Sequence, residues 1–282
     1  MTTAAAPVEL RDVGGPSAFG VDAQRFWRLL WFMSAFEFRS RYTNTVLGYV
    51  WTIAQPLIFF GVIFLVLREI LRFGADIENY ALMLVLNIVL FQYFQQATNR
   101  GVRAVSSKEG IVRKMQFPRI VIPLSVSLTA TFSLLLSLLA VVPLFLISGL
   151  EPRVSWLLLF PILLTLIVFT TGIVLIVSVA FVRAEDTAQV WTLISRMLFY
   201  AAPILYPITF VPGSLQSIIA ANPLSLVFTQ ARVWIIDPSA PNVVEASGLV
   251  AGLLVPLAIL LAVVVGGLWM FSREAPRVAE AL

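Results

Sequence analysis

Six long apolar stretches divide the chain and limit what it can fold into. Each is about as long as the roughly 20 residues that a helix needs to cross the hydrocarbon core of a bilayer. Only 12% of the 282 residues are charged, which is about half the share in an ordinary soluble domain. The sequence therefore predicts an all-α integral membrane protein with six transmembrane helices. The predicted spans are about 46–67, 80–98, 120–147, 156–182, 187–210 and 246–271.

A further apolar segment, residues 214–236, lies between the fifth and sixth spans. Asn222-Pro223 divides it, because the residue before a proline resists the α conformation. Each half is too short to span a bilayer, so we expect a re-entrant helical hairpin on the external side. The alternative is one longer kinked span, which would make seven spans and move the C-terminus outside.

The basic residues favour six spans. With the N-terminus in the cytoplasm, fourteen of the 19 lysines and arginines lie in cytoplasmic segments, four lie outside, and Arg196 lies within the fifth span. Cytoplasmic loops of membrane proteins carry such an excess. Seven spans would move Arg273 and Arg277 to the outside. We therefore expect both termini in the cytoplasm, and we attribute the basic excess to topology rather than to nucleic-acid binding.

The segments outside the spans have simpler predictions. Residues 1–21 are expected to form a flexible cytoplasmic tail, since they lack the charged start and apolar core of a secretory signal. Residues 22–42 predict a helix along the cytoplasmic interface, with its tryptophans at headgroup level. Residues 22–272 then form a single transmembrane domain, and residues 273–282 form a second cytoplasmic tail.

Several kinds of chemistry are missing from the sequence. The chain has no histidine and no cysteine, which removes the commonest general base, the commonest metal ligand and any disulfide. It contains no HExxH, GxSxG or GxxxxGK[ST] motif, so no ATP hydrolysis through a P-loop and no metal site are expected. The predicted spans carry no row of acids of the kind found in many ion-driven carriers. Arg196 either marks a functional site or pairs and snorkels within the bundle.

Aromatic side chains recur in the first, second and fifth spans, with amides beside them. The second span is interrupted by Asn87, Gln92, Gln95 and Gln96. Aromatic faces next to amide and hydroxyl groups suit sugar rings, because stacking tolerates sliding and hydroxyls exchange partners. Ordinary packing and aromatic belts are the alternative for any one of them. The predicted substrate path consists of Tyr49, Trp51, Phe59, Phe199, Tyr200 and Tyr206.

Four segments in order carry a family resemblance. They are RSRYTNTVLGYVWTIAQPL (39–57), KEGIVRKMQFPRIVIPLS (108–125), APILYPITFVP (202–212) and NPLSLVFTQARVW (222–234). From about residue 22 to 272 the chain resembles the permease subunit of type-2 ABC exporters for lipid-linked polysaccharide. That group includes the O-antigen, capsule, teichoic acid and cell-wall galactan exporters. The resemblance implies a transport subunit, not an enzyme, in the bacterial inner (plasma) membrane.

The resemblance also implies the partners. A second copy of this chain would form a channel lined by the first and fifth spans of both copies. Two separate ATPase subunits would bind ATP and Mg²⁺, and this chain would hold no cofactor of its own. The other expected contacts are the lipid-linked polysaccharide and membrane lipids. Asn222 and Pro223 would mark an external gate.

The same resemblance identifies residues that contact the ATPase. The loop between the second and third spans would offer Lys108, Glu109, Arg113 and Lys114. The turn after the fourth span would offer Arg183, Glu185 and Asp186. Related proteins often have an Arg-Asp step in that turn, whereas here an alanine separates Arg183 from the two acids, so the resemblance supports the topology of the turn but not its contact geometry.

Three other functions remain open from the residues alone. An ABC exporter of a drug or small lipid would share the spans and need a smaller cavity. An integral membrane enzyme that modifies lipid or glycan would need an acid or base in a polar cavity. An ion channel or carrier is the third. Copurification of an ATPase would separate the exporters from the other two.

Overall fold

A computed structural model describes residues 23–41, 43, 48–75, 77–108, 110 and 117–281. The predicted tail 1–21 and the predicted contact residues Glu109, Arg113 and Lys114 lie outside these ranges. Every regular element within them is helical. The α-helices are α1 (Ala23–Ser40), α2 (Val50–Phe64), α3 (Tyr80–Val102), α4 (Val121–Ile147), α5 (Leu159–Arg183), α6 (Thr187–Ala201), α7 (Gly213–Ala220), α8 (Pro223–Ala231), α9 (Val243–Leu249) and α10 (Val255–Ala281).

Among the described residues, five continuous helical segments are long and apolar enough to cross a membrane. Single turns of π or 3-10 helix extend three of them beyond the α-helices given above. A sixth span results if the bent pair α7 and α8 counts as one. The chain is thus a multi-pass membrane protein. The five segments are Val50–Ile70, Tyr80–Val102, Val121–Ile147, Val154–Arg183 and Val243–Glu274, and they overlap the first four predicted spans and the last.

The predicted fifth span, 187–210, is not one helix. Helix α6 ends at Ala201, and its 15 residues rise only about 22 Å, less than the roughly 30 Å core of a bilayer. Pro203 and Pro207 follow, and neither has the backbone N–H that would continue the helix. Because the chain is apolar on both sides of this break, hydropathy alone did not reveal it.

Helix α3 holds the irregular chain that follows α6. The Tyr80 hydroxyl donates to the carbonyl of Leu205 at 2.8 Å, and the Asn87 amide donates to those of Pro203 at 3.3 Å and Ile204 at 3.4 Å. Carbonyl groups that leave a helix within a membrane protein need such partners, since lipid offers none. Two side chains of α3 therefore set the path of the chain beyond α6.

Helix α3 is the centre of the bundle. In the most apolar stretch of α3, 78% of the residues are buried. The corresponding stretches of Val50–Ile70 and Val243–Glu274 have only 6% and 11% of their residues buried. Its aromatic side chains pack on neighbouring elements: Phe91 lies 5.2 Å from Phe199 between ring centroids, and Phe94 lies 6.1 Å from Phe169. The helices α2 and α10 thus leave broad apolar faces for lipid or for another subunit.

Helix α1 lies against α4. The hydroxyl of Thr129 donates to the carbonyl of Ser34 at 3.3 Å, and the ring of Trp31 meets that of Phe132 at 5.3 Å. The side chains of Trp27 and Phe36 remain about two-thirds exposed. The helix predicted over 22–42 is present as Ala23–Ser40, with aromatic side chains on its open face.

The predicted break at Asn222-Pro223 is also present. The Asn222 side chain caps α8 by accepting from the backbone N–H of Leu224 at 3.0 Å, and Pro223 is the first residue of that helix. Both positions suit these residue types, because the cap satisfies a free N–H and proline has none to lose. The halves on either side meet at 99°.

Candidate functional site

Two adjoining cavities open beside α3. The first, of about 300 Å³, lies between α2, α3 and α4, and the second, of about 570 Å³, lies between α2, α3 and α6. They share Gln55, Gln92, Gln96 and Arg100, so we treat them as one feature, the polar groove. A hydrogen bond from the Ser137 hydroxyl to the Thr52 carbonyl, 3.1 Å long, ties the α4 and α2 walls together.

One face of α3 supplies most of the polar lining. Gln92, Gln95, Gln96, Asn99 and Arg100 recur at spacings of three and four, which places them on one side of a helix. The sequence alone predicts that the glutamines interrupt the second span and that amides beside aromatic rings suit sugar hydroxyls, but this prediction does not place them on one wall. Their helical spacing is the signal that would have identified them as a groove wall.

Four of the six predicted path residues lie in the polar groove. Trp51 lines the first cavity, and Phe59, Phe199 and Tyr200 line the second. Phe199 is buried, with its ring centroid 5.7 Å from that of Phe59, so it forms the wall on the core side. Tyr200 is 67% exposed and projects at the rim.

The other two path residues do not line either cavity. The ring of Tyr49 packs against Phe38 at 5.5 Å between centroids. The Tyr206 hydroxyl donates to the carbonyl of Tyr200 at 3.0 Å, which caps the end of α6. The structure thus gives Tyr206 a local contact that helps to hold Tyr200.

The polar lining of the groove consists mainly of amides and hydroxyls, together with the arginines Arg41, Arg100 and Arg196. Among the described residues that line the groove there is no carboxylate, and the chain has no histidine. Arg196 lines the second cavity together with Arg100. Within the described part of the chain no group of three acids is close enough to hold a metal ion. The arrangement can bind hydroxylated molecules reversibly through amides and aromatic faces.

Two predicted ATPase contacts are paired within the chain. Lys108 lies 3.0 Å from the carboxylate of Glu37 on α1, and Arg183 at the end of α5 pairs with Glu274 of α10. The Arg183 side chain is nevertheless 60% exposed. Glu185 and Asp186 are exposed in the turn before α6. These two acids therefore offer the open charges of that turn.

An ion pair lies at the C-terminal end of the predicted hairpin segment. Arg232 donates to Asp237 at 3.3 Å, and both the backbone N–H and the hydroxyl of Ser239 donate to the same carboxylate. Burial raises the pKa of Asp237, but the Ser239 hydrogen bonds and the charge of Arg232 outweigh it and hold that pKa below its ordinary value. The indole N–H of Trp156 donates to the carbonyl of Ile235 at 3.1 Å, which ties the hairpin to the start of α5.

A bundle of long apolar helices around a polar groove is typical of membrane transport proteins. Comparison with protein families agrees: the model of the ABC-2 type transporter family matches residues 28–236. The match covers well over half of the chain. This protein belongs to the ABC-2 type transporter family.

Individual relatives are similar over most of their length. An "O-antigen export system permease protein RfbA" of Klebsiella pneumoniae is 30% identical over 197 residues, covering 70% of this chain and 75% of the relative. A second protein of that name from the same species is 28% identical over the same shares. A third, from Myxococcus xanthus, is 26% identical over 212 residues, covering 73% of this chain and 79% of the relative.

Proposed function

We propose that this chain is the transmembrane channel subunit of an ATP-driven exporter that moves a lipid-linked polysaccharide from the cytoplasmic to the outer side of the bacterial inner membrane. Membership of the ABC-2 family and similarity to permeases named for O-antigen export support this substrate class. The observation that carries the proposal is the polar groove at the depth of the spans, walled by amides and aromatic rings.

The lining of the groove suits a polymer of sugars. Amide groups donate and accept in turn, so each hydroxyl of a passing sugar finds a new partner as it leaves the last. Aromatic rings such as Phe59 and Tyr200 add stacking that depends little on position. Because the amides are neutral, the polymer does not have to break an ion pair with the protein each time it moves from one amide to the next.

A second copy of the chain completes the channel. Gln55 on α2 is exposed in the isolated subunit, and amides facing lipid tails would lack hydrogen-bond partners. A second copy placed against α2 and α6 would cover the groove and double its lining. The two copies would then enclose a passage between their first and fifth spans.

Energy for transport would come from two separate ATPase subunits, which would bind ATP and Mg²⁺. The chain lacks a P-loop, and its exposed turn at Glu185 and Asp186 offers acidic groups for such a contact. Glu109, Arg113 and Lys114 remain predicted contacts in the neighbouring loop. In this arrangement α1 lies along the cytoplasmic interface, both termini are cytoplasmic, and α7 with α8 forms a re-entrant hairpin whose tip, Asn222-Pro223, gates the exit.

Affinity purification from native membranes tests the proposal. We expect an ATPase to copurify with the tagged chain, and we expect polysaccharide at the cell surface to disappear when the chain is deleted.

A glutamine variant of the groove tests the lining. When it is expressed in the deletion strain, Gln95→Leu plus Gln96→Leu should restore assembly but not export, because the amides are lost while the side-chain volume is kept. Leu139→Gln on α4, exposed and outside the groove, serves as the control. If no nucleotide-binding partner copurifies in gentle detergent, the proposal of an ATP-driven exporter is overturned.

A further inference from the structure

A third cavity, of about 650 Å³, lies where the carboxyl ends of α1 and α3 meet. Among the described residues that line it are four cations and one carboxylate, and we call it the basic vestibule. The side chains of Arg41 and Lys108 are mostly buried there, at 14% and 20% exposure. The charged lining residues are Arg41, Arg100, Arg103, Lys108 and Glu37.

The described side chains that line the vestibule carry a net positive charge. Four cations against one carboxylate give a net charge of +3 from the lining side chains. The carboxyl ends of two helices offset roughly one unit of this, at about half a charge each. The positive-inside rule accounts for cations near the membrane surface, but it does not require them to converge on one cavity.

The vestibule is continuous with the polar groove. Arg100 lines the vestibule and both cavities of the groove, and Arg41 lines the vestibule and the first cavity. An anion held between these guanidinium groups would lie at the start of the row of amides on α3. The same molecule could then extend a neutral polar chain along Asn99, Gln96 and Gln92.

The apolar part of such a molecule also has a place. Helix α1, which supplies Glu37 and leads into Arg41, exposes large aromatic side chains along its length. These surfaces suit lipid chains at the membrane boundary. An anionic group in the vestibule would therefore sit between a lipid on one side and a polar polymer on the other. The exposed aromatics are Trp27, Trp31, Phe32 and Phe36.

We propose that the basic vestibule binds the phosphate or diphosphate group that joins the lipid of the substrate to its polymer. This inference rests on the proposed function and names the chemical group that the entrance recognises. Arginine suits it, because the planar guanidinium forms paired hydrogen bonds with phosphate oxygens. Partial burial of Arg41 and Lys108 strengthens the attraction relative to open water.

Equilibrium binding to the full-length chain in nanodiscs of uncharged lipid tests this proposal. The probes are farnesyl diphosphate, farnesol and inorganic diphosphate. Arg41→Gln plus Arg100→Gln should weaken binding of farnesyl diphosphate at least tenfold, equivalent to about 1.4 kcal/mol. Arg39→Gln removes one positive charge from a residue of α1 that does not line the vestibule, so this variant should bind the probe as the wild type does. Arg103→Gln is the second variant if the double variant does not fold, and a smaller loss is expected.

The outcomes separate the possible ligands. Tighter binding of farnesyl diphosphate than of either other probe supports a lipid-borne phosphate group. Equal binding of inorganic and farnesyl diphosphate would overturn the lipid part, and equal binding of farnesol and farnesyl diphosphate would overturn the anion site. Equal loss in Arg39→Gln and in the vestibule variants would reduce the effect to surface charge and also overturn it. No ATPase takes part in this assay, so its failure is distinct from failure of the exporter proposal.

Discussion

Tyr200 is the aromatic residue of the groove that the structure leaves most open. Its ring is 67% exposed and packs edge-on against Phe199 at 5.2 Å between centroids. Tyr200→Ala should reduce export without changing assembly, because the change removes a stacking face and leaves no cavity in the core. The measurement is surface polysaccharide at equal protein level. Leu193→Ala, on the same helix, similarly exposed and outside the groove, is the control, and equal export by both variants would remove Tyr200 from the path.

Asp237 gives a prediction on pH. The pKa of Asp237 is lower in the folded chain than in the unfolded chain, where it is about 3.9. The ionised carboxylate therefore stabilises the fold at pH values above the unfolded pKa, and this stabilisation is lost as the pH falls towards the folded pKa. We expect Asp237→Asn to lower the melting temperature in detergent by several degrees at pH 7, because Arg232 loses its partner. Towards pH 3 the wild type should approach the variant. A difference that stays constant from pH 7 to pH 3 would contradict this account.

At the scale of elements, glycines set the crossing of α5 and α10. A methyl group added to Gly267 would lie 2.7 Å from the carbonyl oxygen of Gly172, whereas one added to Gly266 would have no atom within 4 Å. Small residues allow helices in membranes to approach this closely. The contact joins the fourth predicted span to the last one.

The two glycines form a matched pair for a stability test. Gly267→Ala should destabilise by about 1–3 kcal/mol, since backbone atoms have to move. Gly266→Ala should be neutral or stabilise by up to about 1 kcal/mol, because alanine is the better helix former. Thermal unfolding of the purified chain measures both. Equal melting temperatures for the two variants would show that α5 and α10 do not cross at this point.

For the whole molecule, the open question is what covers the polar groove. The chain has no cysteine, so a single introduced cysteine reports only on its own position. Ile58→Cys and Val62→Cys are on the exposed face of α2 near the groove, and Leu139→Cys is on the exposed face of α4. If a second copy closes the groove, oxidation in membranes should produce dimers from at least one α2 variant and not from Leu139→Cys. Dimers from Leu139→Cys alone would place the interface on another face.

The sequence by itself determined the positions of five spans. Hydropathy over some 20 residues is a local property, so it identified the regions of α2 to α5 and of the last helix without knowledge of their neighbours. The break at Asn222-Pro223 is equally local, because it follows from proline itself. The resemblance carried by four short segments was confirmed by the family match over residues 28–236.

Only the tertiary structure decided which side chains meet. The path of the chain beyond α6 depends on Asn87 and Tyr80, whose side chains bond its carbonyl groups from a helix more than a hundred residues earlier. Lys108, a predicted ATPase contact, pairs with Glu37, 71 positions away. The convergence of Arg41 and Arg100 on one cavity likewise requires α1 and α3 to end side by side. Such contacts between distant segments come from packing, which no local pattern of residues encodes.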